Sequence, residues 1–76
     1  MYLIRKFVTE ENQETRLVIG YTYELESAVE FIEFNYGNPS NMEAIIGGNV
    51  LYYNEEHKKI AFWVREINLI QKGDKF

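Results

Sequence analysis

Residues 20–37, GYTYELESAVEFIEFNYG, are the one segment of this 76-residue chain that is typical of a long helix. Apolar residues recur in it every three to four positions and fall within an arc of about 100° on a helical wheel, which predicts a core-facing stripe. The stripe consists of Leu25, Ala28, Val29, Ile32 and Tyr36. We therefore expect a main helix over residues 23–36, with this stripe buried against another layer.

Residues with known capping preferences mark the ends of this helix. Thr22 suits the N-cap, because its hydroxyl can accept a hydrogen bond from an unpaired N–H of the first turn. Ser27 followed by Glu30 spells a capping box and is an alternative start one turn later. Gly37 suits the left-handed residue just after the last turn.

The predicted helix also carries apolar residues away from its core-facing stripe. Tyr23, Phe31 and Phe34 fall on or near the opposite side of the wheel, beside Glu30. A helix that is apolar on two sides needs a second cover, which another part of the chain or a partner must provide.

Four segments rich in β-branched and aromatic residues predict strands, two before the helix and two after it. They are residues 2–9, 15–21, 50–53 and 59–69. Between helix and third strand, Ser40 and Glu43 spell another capping box, which favours a short helical turn near residues 41–46 over a strand at 43–46. Gly47-Gly48 would then cap that turn.

This order of elements predicts an α+β fold: a two-layer, ββαββ-type antiparallel sheet packed on one main helix. We expect a single small domain over residues 1–76, with residues 71–76 frayed. In the last strand Trp63 alternates with Phe62 and Val64, so one of these sets must face away from the helix. Loops and the C-terminal tail could cover the exposed set, but self-association or a protein partner is the favoured interpretation.

Charge is distributed unevenly along the chain, whose net charge is −4. Residues 10–56 contain ten glutamates and a single basic residue, Arg16, whereas both flanking segments carry a net positive charge. We therefore expect an acidic helix and basic outer strands, a field that would steer and orient partners.

The composition also bounds where the protein works. The chain has no cysteine, which fits a reducing compartment. No apolar run is long enough to span a bilayer, and the segment 1–8 does not resemble a signal peptide. We expect a cytoplasmic protein without a membrane partner.

Side chains suited to catalysis or to holding a cofactor are scarce. A Ser–His–Asp triad would need Ser27 or Ser40 to meet the single His57 and the single Asp74, although both serines are better explained as helix caps. His57 with Glu55 and Glu56 forms a hairpin tip rather than a metal site. We expect no enzyme activity, catalytic residue, metal or cofactor.

The favoured function is a small acidic interaction protein that binds another macromolecule through aromatic and acidic surface. It would resemble the phage or mobile-element inhibitors that occupy a basic, nucleic-acid-binding target. Aromatic anchors supply contact area, and carboxylates supply orientation. The predicted partner-binding residues are Tyr23, Glu26, Glu30, Phe31, Glu33, Phe34 and Trp63.

Two alternatives remain open. Tyr52 or Tyr53, together with Trp63, Arg5 and Arg65, could form an aromatic and basic platform for single-stranded nucleic acid on an open sheet face. The low isoelectric point and the absence of a basic cluster make this a minority hypothesis. The other alternative is a homodimeric structural protein with no other partner.

Overall fold

A computed structural model describes residues 1–67, which form one five-stranded antiparallel sheet and one helix. The elements are β1 (Tyr2–Glu10), β2 (Gln13–Thr22), α1 (Leu25–Tyr36), β3 (Asn41–Ile45), β4 (Gly48–Asn54) and β5 (Lys58–Glu66). The strand order across the sheet is β2-β1-β5-β4-β3. The predicted two-layer α+β architecture is confirmed, and it has one strand more than expected. Residues 71–76, which were predicted to fray, lie outside the described residues.

The additional strand corrects the prediction for residues 41–46. They form β3 and a tight turn, not a helical turn, so the strand alternative is the right one. Ser40 is no helix cap, because its Oγ accepts a hydrogen bond from the Asn54 N–H at 3.1 Å. Its own N–H donates to the Tyr52 carbonyl at 2.7 Å. Pairing with β4 therefore overrides the local capping signal, and Gly47 supplies the positive φ of 82° in the turn.

The start of α1 also differs from the prediction. Thr22 ends β2, and its hydroxyl donates to the Glu24 carbonyl at 2.8 Å. Glu24 is the N-cap without a capping side-chain hydrogen bond, and Ser27 lies inside the helix. The predicted end is confirmed, because Gly37 has a φ of 82° and donates its N–H to the Glu33 carbonyl at 2.8 Å.

The core lies between α1 and one face of the sheet, which we call the inner face. The predicted stripe points into it: Ala28 and Ile32 are fully buried, and Leu25 and Val29 pack beside them. The sheet contributes the buried side chains Ile4, Leu51, Phe62 and Val64. Burial of these apolar side chains is the main contribution to stability that the described residues show.

The last turn of α1 is held to the inner face by aromatic contacts. The Tyr36 ring lies 4.6 Å from the Phe62 ring, centroid to centroid. The Lys6 Nζ lies 5.1 Å from the centroid of the Tyr36 ring. The Tyr53 hydroxyl donates to the Gly37 carbonyl at 2.6 Å. Burial raises the pKa of Tyr53, and the nearby Glu33 carboxylate raises it further.

The two sides of α1 predict opposite results for truncations of similar chemistry. Ile32→Ala should lower the free energy of unfolding by about 2–5 kcal/mol, because it empties a fully buried site. Phe34→Ser, on the same helix, should change it by less than about 0.5 kcal/mol, because Phe34 is 90% exposed. Urea denaturation followed by circular dichroism measures both. A large loss of stability for Phe34→Ser would contradict this placement of α1.

Two glycines in strands provide a second stability test. A Cβ at Gly48 would overlap the backbone carbonyl of Val64, so Gly48→Ala should cost at least about 2 kcal/mol by forcing β4 and β5 apart. A Cβ at Gly20 meets no atom within 4 Å. Gly20→Ala should therefore be neutral or about 0.5 kcal/mol stabilising, since it reduces the entropy of the unfolded chain. Thermal melts should show a clear fall in Tm for Gly48→Ala and no fall for Gly20→Ala, and similar falls in both would contradict the register.

Candidate functional site

The sheet face turned away from α1, which we call the outer face, holds the most distinctive surface. Residues opposite each other in a sheet share a face, and Arg5 lies next to the buried Ile4 in β1, so Arg5 and its partners point away from the core. By this pairing the outer face includes the fully buried Val50 and, around it, Leu3, Arg5, Phe7, Glu14, Arg16, Val18, Glu43, Tyr52, Lys59, Ala61, Trp63 and Arg65. It therefore carries all three arginines of the chain.

An aromatic pair lies at the centre of the outer face. The rings of Phe7 and Trp63 pack edge to face, with centroids 6.0 Å apart and planes at 76°. The Arg16 guanidinium carbon lies 5.8 Å from the Phe7 ring centroid, within cation–π range. Both aromatic side chains are half-buried, so each keeps part of its surface in contact with solvent. A planar ligand could stack on this exposed part.

The arginines around this pair differ in whether a carboxylate lies beside them. Arg16 Nε contacts Glu14 Oε1 at 3.2 Å, but both side chains are largely exposed, so the pair is worth about 0–1 kcal/mol. Among residues 1–67, neither Arg5 nor Arg65 forms an ion pair. Two positive charges thus stand on the outer face without a carboxylate partner in the described part of the chain.

Two adjoining depressions lie on the outer face. Leu3, Arg5 and Phe7 line both of them. One depression, of about 150 Å³, extends to Trp63 and Arg65. The other, of about 330 Å³, extends to Arg16 and Val18. Both are open and shallow, a shape suited to an extended ligand lying across the strands rather than to an enclosed small molecule.

The predicted partner-binding residues on the helix side do not form one patch. Tyr23 and Phe34 are 82% and 90% exposed, and Phe31 is 43% exposed on the side of α1 near Gly20. Three glutamates occupy the other shoulder of the helix. Glu26 and Glu30 line a groove beside β3 and β4, and Glu33 lies near Tyr53.

Trp63 lies apart from all the other predicted partner-binding residues. It is on the outer face, and the thickness of the sheet separates it from α1. One flat partner surface therefore cannot contact Trp63 together with Phe34. The structure instead brings Trp63 together with Arg5 and Arg65, as the platform hypothesis requires.

The structure also decides which tyrosine can belong to that platform. Tyr52 pairs with Ala61 on the outer face, whereas Tyr53 points to the inner face and bonds to Gly37. Sequence reasoning missed Phe7 and Arg16 as members of the site. Phe7 could have been found, because it lies two residues from Arg5 in a strand and so shares its face. Arg16 could not, because its position depends on the register between β1 and β2.

The described residues show no arrangement typical of a catalytic or metal site. Ser27 lies within α1 and Ser40 bonds to β4, so neither meets His57. The His57 Nε2 lies 3.8 Å from Glu56 Oε1 at an exposed hairpin tip. Within residues 1–67 no cluster of three or more histidine, aspartate or glutamate side chains is placed to hold a metal ion. Asp74, the third member of the possible triad, lies outside the described residues.

No protein-family model matches this chain, and comparisons with curated proteins and with solved structures return no significant match. In the part of the chain that the structure describes, α1 is too short and too polar to cross a membrane.

Proposed function

We propose that this protein is a non-enzymatic binding protein whose outer face holds single-stranded nucleic acid. The observation that carries the proposal is the convergence of the Phe7–Trp63 pair with three arginines on a face that no other element of residues 1–67 covers. Bases would stack on the exposed parts of the aromatic rings, and the guanidinium groups would contact phosphates. Nucleic-acid binding, the minority hypothesis from the sequence, is therefore the function that we favour.

The shape of the outer face favours a single strand over a duplex. Direct reading of duplex DNA needs a helix or a projecting ribbon that enters a groove, and the outer face is an open sheet without such a projection among the described residues. A single strand leaves its bases free to lie flat against aromatic side chains. An open sheet with aromatic and arginine side chains therefore suits unpaired bases.

The acidic α1 layer supports the same binding orientation. α1 and its N-cap contain Glu24, Glu26, Glu30 and Glu33, with no lysine or arginine. These charges would repel phosphates from the helix side, so that a strand approaches the arginine-bearing outer face. We also propose that the protein is cytoplasmic, because its lack of cysteine fits a reducing compartment. Because contacts between the arginines and phosphates release counterions and are screened by salt, binding should be strongest at low ionic strength.

An oligonucleotide titration tests the proposal through the fluorescence of Trp63, the single tryptophan. At low salt a 15-nucleotide oligothymidylate should quench this emission, because bases stack near the indole. Arg5→Gln should weaken binding by about fivefold and lower the slope of log K against log salt by about 0.7, the value for one lost phosphate contact on a single strand.

The matched control is Lys58→Gln, which removes the same charge from the inner side of the sheet, where Lys58 pairs with Glu10. It should change the affinity much less than Arg5→Gln does. Absence of quenching at low salt would refute the proposal. Equal losses in the two variants would show a general charge effect without an outer-face site.

A second candidate function is the acidic interaction protein expected from the sequence. The exposed side chains on the helix side of the molecule support it. Phe34 and Tyr23 are exposed aromatic side chains within an acidic layer, which is the composition of a surface that binds a basic partner. Such a protein would act as an inhibitor by occupying a basic, nucleic-acid-binding surface. Its contact residues would be those on α1 and Tyr23, without Trp63.

A labelled cationic amphipathic peptide of alternating lysine and leucine tests this candidate by fluorescence anisotropy. Phe34→Ser should weaken peptide binding about tenfold, because an aromatic anchor is removed. Ile46→Ser is the control, since Ile46 is 95% exposed and lies in the β3–β4 turn, outside α1. Equal effects of the two variants, or no binding of the wild-type protein, would contradict the second candidate.

A further inference from the structure

The edge strand β2 has a free edge to which a further strand could pair. Among residues 1–67 it pairs with β1 alone, so its other edge presents backbone N–H and C=O groups to solvent over a strand of ten residues. Leu17 and Val18 point to opposite faces and are 57% and 58% exposed. An edge strand of this length that is apolar on both faces is a template for pairing with another strand. The opposite edge, β3, has five residues.

We propose that a second copy of this chain adds to the β2 edge as an antiparallel strand and joins the two sheets. The two-fold axis of such a pair is perpendicular to the sheet, so the two outer faces lie on the same side. The second copy would therefore bring its own arginines and aromatic pair beside those of the first. This extension of the site rests on the proposed function, whereas the dimer does not.

The register of this pairing follows from a bulge and from charge. The β1–β2 pairing shifts after Ile4, which leaves Ile19 unpaired and makes residues 13–18 the regular part of the edge. In an antiparallel pair of identical strands, residues that lie opposite each other must point to the same face of the sheet. The two-fold axis therefore passes through one residue position, where a residue lies opposite its own copy. An axis at Arg16 would oppose two arginines, which is unfavourable. An axis at Thr15 places each Glu14 opposite Arg16 of the second copy.

Charge complementarity thus selects the axis at Thr15. Glu14 and Arg16 are already ion-paired within one chain at 3.2 Å, so they share the outer face at the edge. In the dimer these four side chains would form one network across the axis. Adjacent strands lie about 4.8 Å apart, so the two β1 strands would be about 14 Å apart. Each Arg5 lies opposite Val18, three residues from the axis, so the two Arg5 residues would be about 25 Å apart. A strand of several nucleotides could contact both.

Exchange of the two charges tests the dimer in the absence of nucleic acid. Sedimentation velocity of the wild-type protein should show a dimer fraction that rises between about 10 and 500 µM, the range of a weak interface. Glu14→Arg and Arg16→Glu should each weaken dimerisation at least about tenfold, because like charges then face each other across the axis. Both side chains are exposed, so the fold should persist, which circular dichroism checks.

The double variant Glu14→Arg with Arg16→Glu should recover the wild-type dimer fraction, because it restores both pairs with reversed sign. A wild-type protein that stays monomeric at 500 µM would overturn the inference, as would a double variant that does not recover. A dimer lost in Phe34→Ser but kept in the charge variants would overturn it in favour of contact through α1. Failure of oligothymidylate binding would refute the proposed function and leave this measurement unchanged.

Discussion

The packing of Ala28 and Ile32 against the inner face is the contact on which the rest of this structure depends. It buries one face of a two-faced sheet, and residues 1–67 contain no second helix to bury the other. The helix is also narrower than the sheet, since a helix is about 10 Å wide and five strands span about 19 Å. Leu17 near one edge of the inner face and Met42 near the other consequently remain about half exposed. A single helix is therefore too narrow to cover even the inner face of a five-stranded sheet.

The uncovered surfaces differ in charge, and this difference gives the molecule its polarity. Glutamates line the helix layer, while the arginines lie on the outer face around Phe7 and Trp63. The net charge of −4 therefore describes neither surface. A ligand approaching this protein responds to the local field, which is negative on the side of α1 and positive on the outer face. For this reason the isoelectric point does not describe the charge of either surface.

Much of the fold could be predicted because it depends on local periodicity. The stripe that begins at Leu25 identified the buried side of α1, and the β-branched and aromatic segments identified four of the five strands. The failures occurred where a local signal competed with a distant partner. Ser40 and Glu43 spell a helix start, yet backbone pairing with β4 holds this segment extended. Thr22 has the right hydroxyl for a cap, but it already belongs to β2.

The sequence by itself determined that both layers carry apolar surface on two sides and that acidic and basic residues are segregated along the chain. It also determined that Trp63 and Phe62 face opposite ways, because alternation within a strand is a local property. Only the tertiary structure decided that Trp63, Arg5 and Arg65 share the outer face while Phe34 lies on the other side of the molecule. The reason is that register between strands is set by the packing of the whole core, and a shift of one residue would have exchanged the two faces.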